Sequence, residues 1–161
     1  MKSLLILGAG GFGQMAKEMA LELGYERVVF LDDAADGEDV IGRCCDYALW
    51  RSAYPEAVAA FGNNKTRLYW TDKLLAAGYQ VPALVHPSAV VSPSAVLESG
   101  CFVMQRAVVN THTKLERAVL INSGAVVDHD SVVCAGAHVG LGSIVKANCT
   151  IESGRKVEAG E

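Results

Sequence analysis

Aromatic residues almost vanish from the second half of this chain: of eleven in 161 residues, only Phe102 lies beyond residue 80. Basic residues are also few. Fourteen Lys and Arg against eighteen Asp and Glu leave a net charge of -4. No basic block is present, which argues against nucleic acid and against an anionic membrane surface as partners. No uncharged apolar run approaches the roughly 18 residues that span a bilayer. The apolar opening after Lys2 imitates a secretory signal. Four glycines interrupt it, however, and a charged helical pattern follows with no clean cleavage site, so a cytoplasmic protein is expected. The five cysteines are odd in number, include the adjacent pair Cys44 and Cys45, and form no CxxC. They suggest reduced thiols, with no disulfide framework and no metal site.

What is present changes sharply along the chain. Sixteen of the twenty valines follow residue 80, which places a boundary near residues 79 to 86. The first 80 residues read as α/β. Ser3 to Gly8 is an apolar strand, and Gly8-Ala9-Gly10-Gly11-Phe12-Gly13 fits G-x-G-x-x-G. A helix from about Gly13 to Leu23 puts Met15, Ala16, Met19, Ala20 and Leu23 on one face, with Gly24 as its stop. Further strands are expected at Arg27 to Leu31, ending in Asp32-Asp33, and at Ala57 to Phe61. Asn64 would cap a helix that ends at Gly78.

From Val85 a six-residue rule takes over. Val85, Val91, Leu97, Val103, Val109, Leu115, Ile121, Val127, Val133, Val139, Val145, Ile151 and Val157 are all branched aliphatics, although only 40 of the 161 residues are Val, Ile or Leu. The fifth slot of eleven consecutive hexads is small, from Ala89 to Cys149. This is a hexapeptide repeat, the signature of a parallel β-helix. Each hexad supplies one face of a triangular coil, so the aliphatic slot points inward and stacks on its equivalent eighteen residues later. Narrow coils leave no room for rings, and flat outer faces favour side-by-side oligomers.

The chain resembles the NeuD-type sugar acetyltransferases of bacterial sialic-acid and bacillosamine pathways. The resemblance covers nearly the whole chain. It is carried by the opening glycine motif, Leu31-Asp32-Asp33, Gly62-Asn63-Asn64, His86-Pro87-Ser88-Ala89, Ser92-Pro93, the run from Ile121 to Asp130 and, nine residues after His129, His138. It implies a Rossmann-like parallel-sheet domain over residues 1–80 that binds a nucleotide sugar, such as a UDP-amino-sugar. It also implies a left-handed β-helix acyltransferase domain over 85–161, a homotrimer, and acetyl-CoA as acyl donor.

The glycine motif follows a strand, opens a helix and precedes Asp32 by nineteen residues, which on its own suggests NAD. A dinucleotide needs two βαβαβ halves, and here the hexads begin after one. One half suits a nucleotide sugar; a purely structural tight turn is the remaining alternative. Gly8, Gly10, Gly11, Phe12 and Gly13 would bring backbone N–H groups to a phosphate. Asp32 and Asp33 would meet the base or ribose, and the resemblance adds Asn63 and Asn64.

His129 falls at a hexad corner and His138 in an outward slot, so both are expected to face solvent or a neighbouring subunit. A neutral imidazole can take a proton at physiological pH, as acetyl transfer from a thioester to an amine requires. The resemblance makes His129 the general base, Asp130 its orienting carboxylate and His138 a residue on the acyl-donor side, with Lys146 and Ala147 beside the donor. A structural role in subunit contacts is the alternative for both histidines. His86 reads as structural, and His112 as a corner residue with no assigned role.

Relatives in that family are expected to continue for further coils that complete the coenzyme A groove, whereas this sequence ends in mid-hexad with Arg155 and Glu161 in small slots. Two functions follow: an acetyltransferase acting on a nucleotide-activated sugar, or a truncated, acetyl-CoA-incompetent member that binds nucleotide sugars or regulates.

Overall fold

A computed structural model describes residues 1–161, which divide into two compact units, Met1–Pro82 and Ala83–Glu161. In the first, β1 (Ser3–Leu7), β2 (Arg27–Leu31), β3 (Val40–Gly42) and β4 (Ala57–Ala59) form one parallel sheet in the order β3-β2-β1-β4. β1 is fully buried from Leu4 to Leu7, as expected of a central parallel strand covered on both faces. Helices α1 (Gly11–Glu22) and α2 (Asn64–Ala76) pack on the sheet, α1 against β1 and β2, α2 against β4. The chain leaves β1 toward β2 and β3 and returns to the other side as β4. The C-terminal ends of β1 and β4 therefore form a topological switch point, where open α/β sheets bind ligands.

Several sequence expectations shift. α1 begins at Gly11, two residues early, and its buried stripe is Gly13, Ala16, Met19 and Ala20. Met15 is exposed, because the sheet covers only a narrow strip of the helix. The strand after Pro55 stops at Ala59. β3 and a 3-10 segment over Cys44–Trp50 are additions that the sequence pattern did not announce. Asn63, not Asn64, caps α2, its side-chain oxygen accepting from Thr66 N at 3.0 Å.

The second unit is a left-handed parallel β-helix. Thirteen two-residue strands, β5 (Leu84–Val85) to β17 (Lys156–Val157), recur every six residues and stack into three sheets. One sheet holds β6 (Val90–Val91), β9 (Val108–Val109), β12 (Val126–Val127) and β15 (Ile144–Val145). The second runs from β7 (Val96–Leu97) through β13 (Val132–Val133) to β16 (Thr150–Ile151). The third holds β5, β8 (Phe102–Val103), β11 (Leu120–Ile121), β14 (His138–Val139) and β17. The thirteen repeated aliphatics line the interior, each fully buried one contributing roughly 1.5–3 kcal/mol.

The small slot does more than fit a corner. Thr113, Ser131 and Ser143 are fully buried there, and each donates its hydroxyl to the backbone carbonyl fifteen residues ahead: Asp128, Lys146 and Glu158. These bonds satisfy buried polar atoms and tie each coil to the next. The corner residues after Gly100 adopt left-handed backbone, most as glycine, but Arg106, His112, Ala118, Asp130 and Asn148 do so with side chains. No helix is long and apolar enough to cross a membrane.

Candidate active site

The first group of predicted residues sits at the switch point of the parallel sheet. Gly8 has φ +100°, and a Cβ there would stand 2.7 Å from Ala60 O. A Cβ on Gly13 would lie 1.9 Å from Gly8 O. Those two glycines are explained by the turn itself. Gly10 and Gly11 are not, because a Cβ on either would meet nothing within 4 Å. Gly10 is also the N-cap of α1 and offers no side chain to its first amides. Open space, an uncapped helix start and bare backbone together suit an approaching phosphate.

Asp32 turns out to build this loop. Its Oδ2 accepts from Ala9 N at 2.7 Å, and its Oδ1 from Ala34 N and Ala35 N at 2.8 and 2.7 Å. Burial works against its charge, yet these three backbone bonds and nearby Arg43 hold its carboxyl below the usual carboxylate range. Exposed Asp33 accepts from Cys44 N at 3.0 Å. Phe12 starts α1 beside the glycines and is half-buried.

Across the switch point, Asn63 caps α2, and Asn64 Oδ1 accepts from Arg67 Nη2 at 2.9 Å. Arg67 is a functional candidate that sequence reasoning missed. It is fully buried on α2, and its guanidinium also donates to Phe61 O at 3.0 Å and Gly62 O at 3.4 Å. Its cation thus shapes the loop that faces Gly8. Only the spacing of a charged residue on the buried stripe with Thr71 and Leu74 could have marked it.

The second group lies on the β-helix. His129 and Asp130 occupy the corner between β12 and β13, with His129 Nδ1 2.7 Å from Asp130 Oδ2. The turn before them is pinned: Asn110 Nδ2 donates to Asp128 Oδ1 at 3.0 Å, and His129 N to the same oxygen at 2.8 Å. The bond to Asp130 comes first in raising the His129 pKa above its usual 6.5. Desolvation opposes it, and the smaller effects of the Asp128 and Asp130 charges add to it. Asp128 is itself held low by the His129 amide and the Asn110 side chain.

His138 departs from expectation. It is 92% covered rather than solvent-facing, since only 8% of its surface is exposed. The outward slots of its sheet are buried from Leu84 through Phe102 and Leu120 to His138, and Asn122 Nδ2 lies 3.1 Å from His138 Nε2. Asn122, a residue of the quoted motif that received no role, joins His138, Gly140, Leu141 and Lys156 around a cavity of about 150 Å³. Lys146 is not in this cavity. It borders another of about 220 Å³, with Val145, Cys149 and Ile151, and Ala147, which lines neither cavity, is half-buried nearby in the same coil. The three acyl-donor candidates are therefore split. No group of three or more His, Cys, Asp or Glu side chains is placed to hold a metal ion.

Several known proteins are similar to this chain. Residues 3–74 match the PglD N-terminal domain. The acetyltransferase domain of PglB from Neisseria gonorrhoeae superposes with a TM-score of 0.89 at 34% identity, over 99% of this chain and 90% of that one. PerB from Caulobacter crescentus, solved with CoA and GDP-perosamine, gives a TM-score of 0.84 at 29% identity, over 99% of this chain and 87% of that one. A GDP-perosamine N-acetyltransferase from Escherichia coli is 25% identical, over 96% of this chain and 77% of its own length. Parallel sheet, hexad coils and whole-chain similarity converge on one conclusion: the chain belongs to the NeuD/PglD-type family of sugar acetyltransferases.

Proposed function

We propose that this protein transfers the acetyl group of acetyl-CoA to an amino group on a nucleotide-diphosphate-linked sugar. The observation that carries the chemistry is the His129–Asp130 pair. A carboxylate can only accept, so Asp130 fixes the proton of a neutral ring on Nδ1 and leaves Nε2 as the base. The acceptor ammonium loses a proton to Nε2, and its nitrogen attacks the thioester carbonyl. The tetrahedral intermediate then collapses: the C–S bond breaks, the nitrogen gives up its second proton to the departing CoA sulfur, and an amide and free CoA thiol are left. Binding of a nucleotide sugar is assigned to the Gly8–Gly13 turn with Asp32, Asp33, Asn63 and Asn64, and the pantetheine side of the donor to His138 and Asn122. Support for the ligands comes from the relatives solved with acetyl coenzyme A and with CoA and GDP-perosamine.

A homotrimer is part of the reading. His129 projects from the corner between the sheets of β12 and β13, whereas His138 lies on the third sheet, opposite that corner. One chain keeps the base and the donor-side residue apart, and a neighbouring copy can bring them together. The outward column Val90, Val108, Val126 and Ile144, with Val90 and Ile144 largely exposed, is the face such a copy would cover. Five free cysteines and an acetyl-CoA substrate suit a cytoplasmic setting.

The test is direct. Purified protein with acetyl-CoA is offered a UDP- or GDP-linked amino sugar, and free thiol is measured. Thiol release that requires the amino sugar supports the reading; nucleotide-sugar binding with no acetyl-CoA binding by calorimetry favours the regulatory alternative.

A further inference from the structure

Asp130 does not serve His129 alone. Its second oxygen, Oδ1, lies 3.6 Å from Nδ1 of His112, which occupies the same corner one coil earlier. Both imidazoles turn the same nitrogen toward one carboxylate, at 2.7 Å from His129 and 3.6 Å from His112.

The backbone gives a second, independent observation. The left-handed corner residues form three columns with a spacing of eighteen. Two columns are mainly glycine: Gly124, Gly142 and Gly160 after Arg106, and Gly100, Gly136 and Gly154 around Ala118. The third has none, and holds His112, Asp130 and Asn148 at φ 57°, 56° and 58°. A side chain in this conformation costs on the order of 1 kcal/mol relative to glycine. The strain is retained in the column that carries the proposed base pair. Other contacts hold both residues in place, since His112 N donates to Ser94 Oγ at 3.0 Å and Asp130 N to Thr111 O at 2.9 Å.

We propose that His112 is a positioning residue that shares the Asp130 carboxylate with His129 and so sets the pH at which the base becomes available. The proposal rests on the reading of His129 as base. The His112 ring, turned toward Oδ1, competes for the same carboxylate that holds the proton on His129 through Oδ2. His129 therefore releases its proton at lower pH than it would beside Asp130 alone. The titratable groups that face the pair are Asp128 and Asp130 on the same turn and His112 from the coil before; the coil after presents Lys146 and the neutral Asn148. Asn148 N is bonded to His129 O at 3.1 Å, and the Lys146 carbonyl to Ser131 Oγ.

The experiment is an NMR titration of the His129 ring in the full-length protein, wild type against His112→Asn, with His112→Gly as a second variant. Both replacements tolerate left-handed backbone, so the fold is kept. The His129 midpoint is expected to rise by about half a pH unit, and the acid limb of kcat/KM for the amino sugar moves up with it. In an Asp130→Asn background the same substitution leaves the midpoint nearly still. An unmoved midpoint in both variants overturns the proposal, as does an equal rise with and without Asp130. A midpoint that rises while the acid limb stays put upholds the shared carboxylate and instead removes His129 from the role of base.

Discussion

His129 Nδ1 stands 2.7 Å from Asp130 Oδ2, on residues adjacent in the chain and both exposed at a coil corner. That contact predicts a pH profile. Because the bond raises the His129 pKa above 6.5, and a base must be neutral, kcat/KM for the acceptor rises with pH through a midpoint above 6.5. Asp130→Asn moves that midpoint down and lowers kcat/KM by about 10- to 100-fold. The stability contribution of a raised histidine has the opposite sense: present below 6.5, and lost as pH rises through the folded value. A pH–rate profile of the two proteins checks the prediction, and an unmoved limb contradicts it.

The glycine loop separates shape from binding. Gly13→Ala drives a Cβ into Gly8 O at 1.9 Å and is expected to cost roughly 3 kcal/mol or more. Gly11→Ala enters open space and a helix, so thermal stability holds or rises by about 1 kcal/mol. Calorimetry should nevertheless show weaker binding of the nucleotide sugar by Gly11→Ala, because a methyl group then stands where a phosphate approaches. Undiminished binding would return the motif to a purely structural turn.

Much of this was legible in the residues. The aliphatic slot from Val85 to Val157 gave the coils away because its period is local and each position has one environment. The same period says inside or outside, but not which outer face is covered. His138 therefore read as facing solvent or a neighbouring subunit, and within its own chain it is already buried. β3 has three residues paired only through Phe30 and Leu31, too few to show alternation. With two adjacent asparagines, composition could not tell which one caps α2. Asp32 was found by its spacing from the glycines, while its bonds to Ala9, Ala34 and Ala35 depend on a loop path that no local pattern reports.

Arg67 should behave as a buried cation with dedicated acceptors. Arg67→Met leaves Phe61 O and Asn64 Oδ1 without their donor and is expected to cost about 2 kcal/mol or more. Arg67→Lys recovers part of that. Denaturant unfolding measures the loss, and a variant as stable as wild type would contradict the role.

The outward aliphatic column makes a prediction about assembly. Val126→Glu places a charge in the middle of the ridge from Val90 to Ile144, next to the His129 corner. For the homotrimer proposed above, light scattering should show a shift to monomer, with activity lost in parallel. A trimer that survives would move the interface to another face.

As the proposed base, His129 takes the proton when acetyl passes from CoA to an amino sugar. The most direct measurement is the single-turnover rate of acetyl transfer by His129→Asn, with both substrates saturating and the oligomer confirmed intact. A fall of about 100-fold or more is expected, with binding of acetyl-CoA and nucleotide sugar preserved. Transfer at the wild-type rate would contradict it.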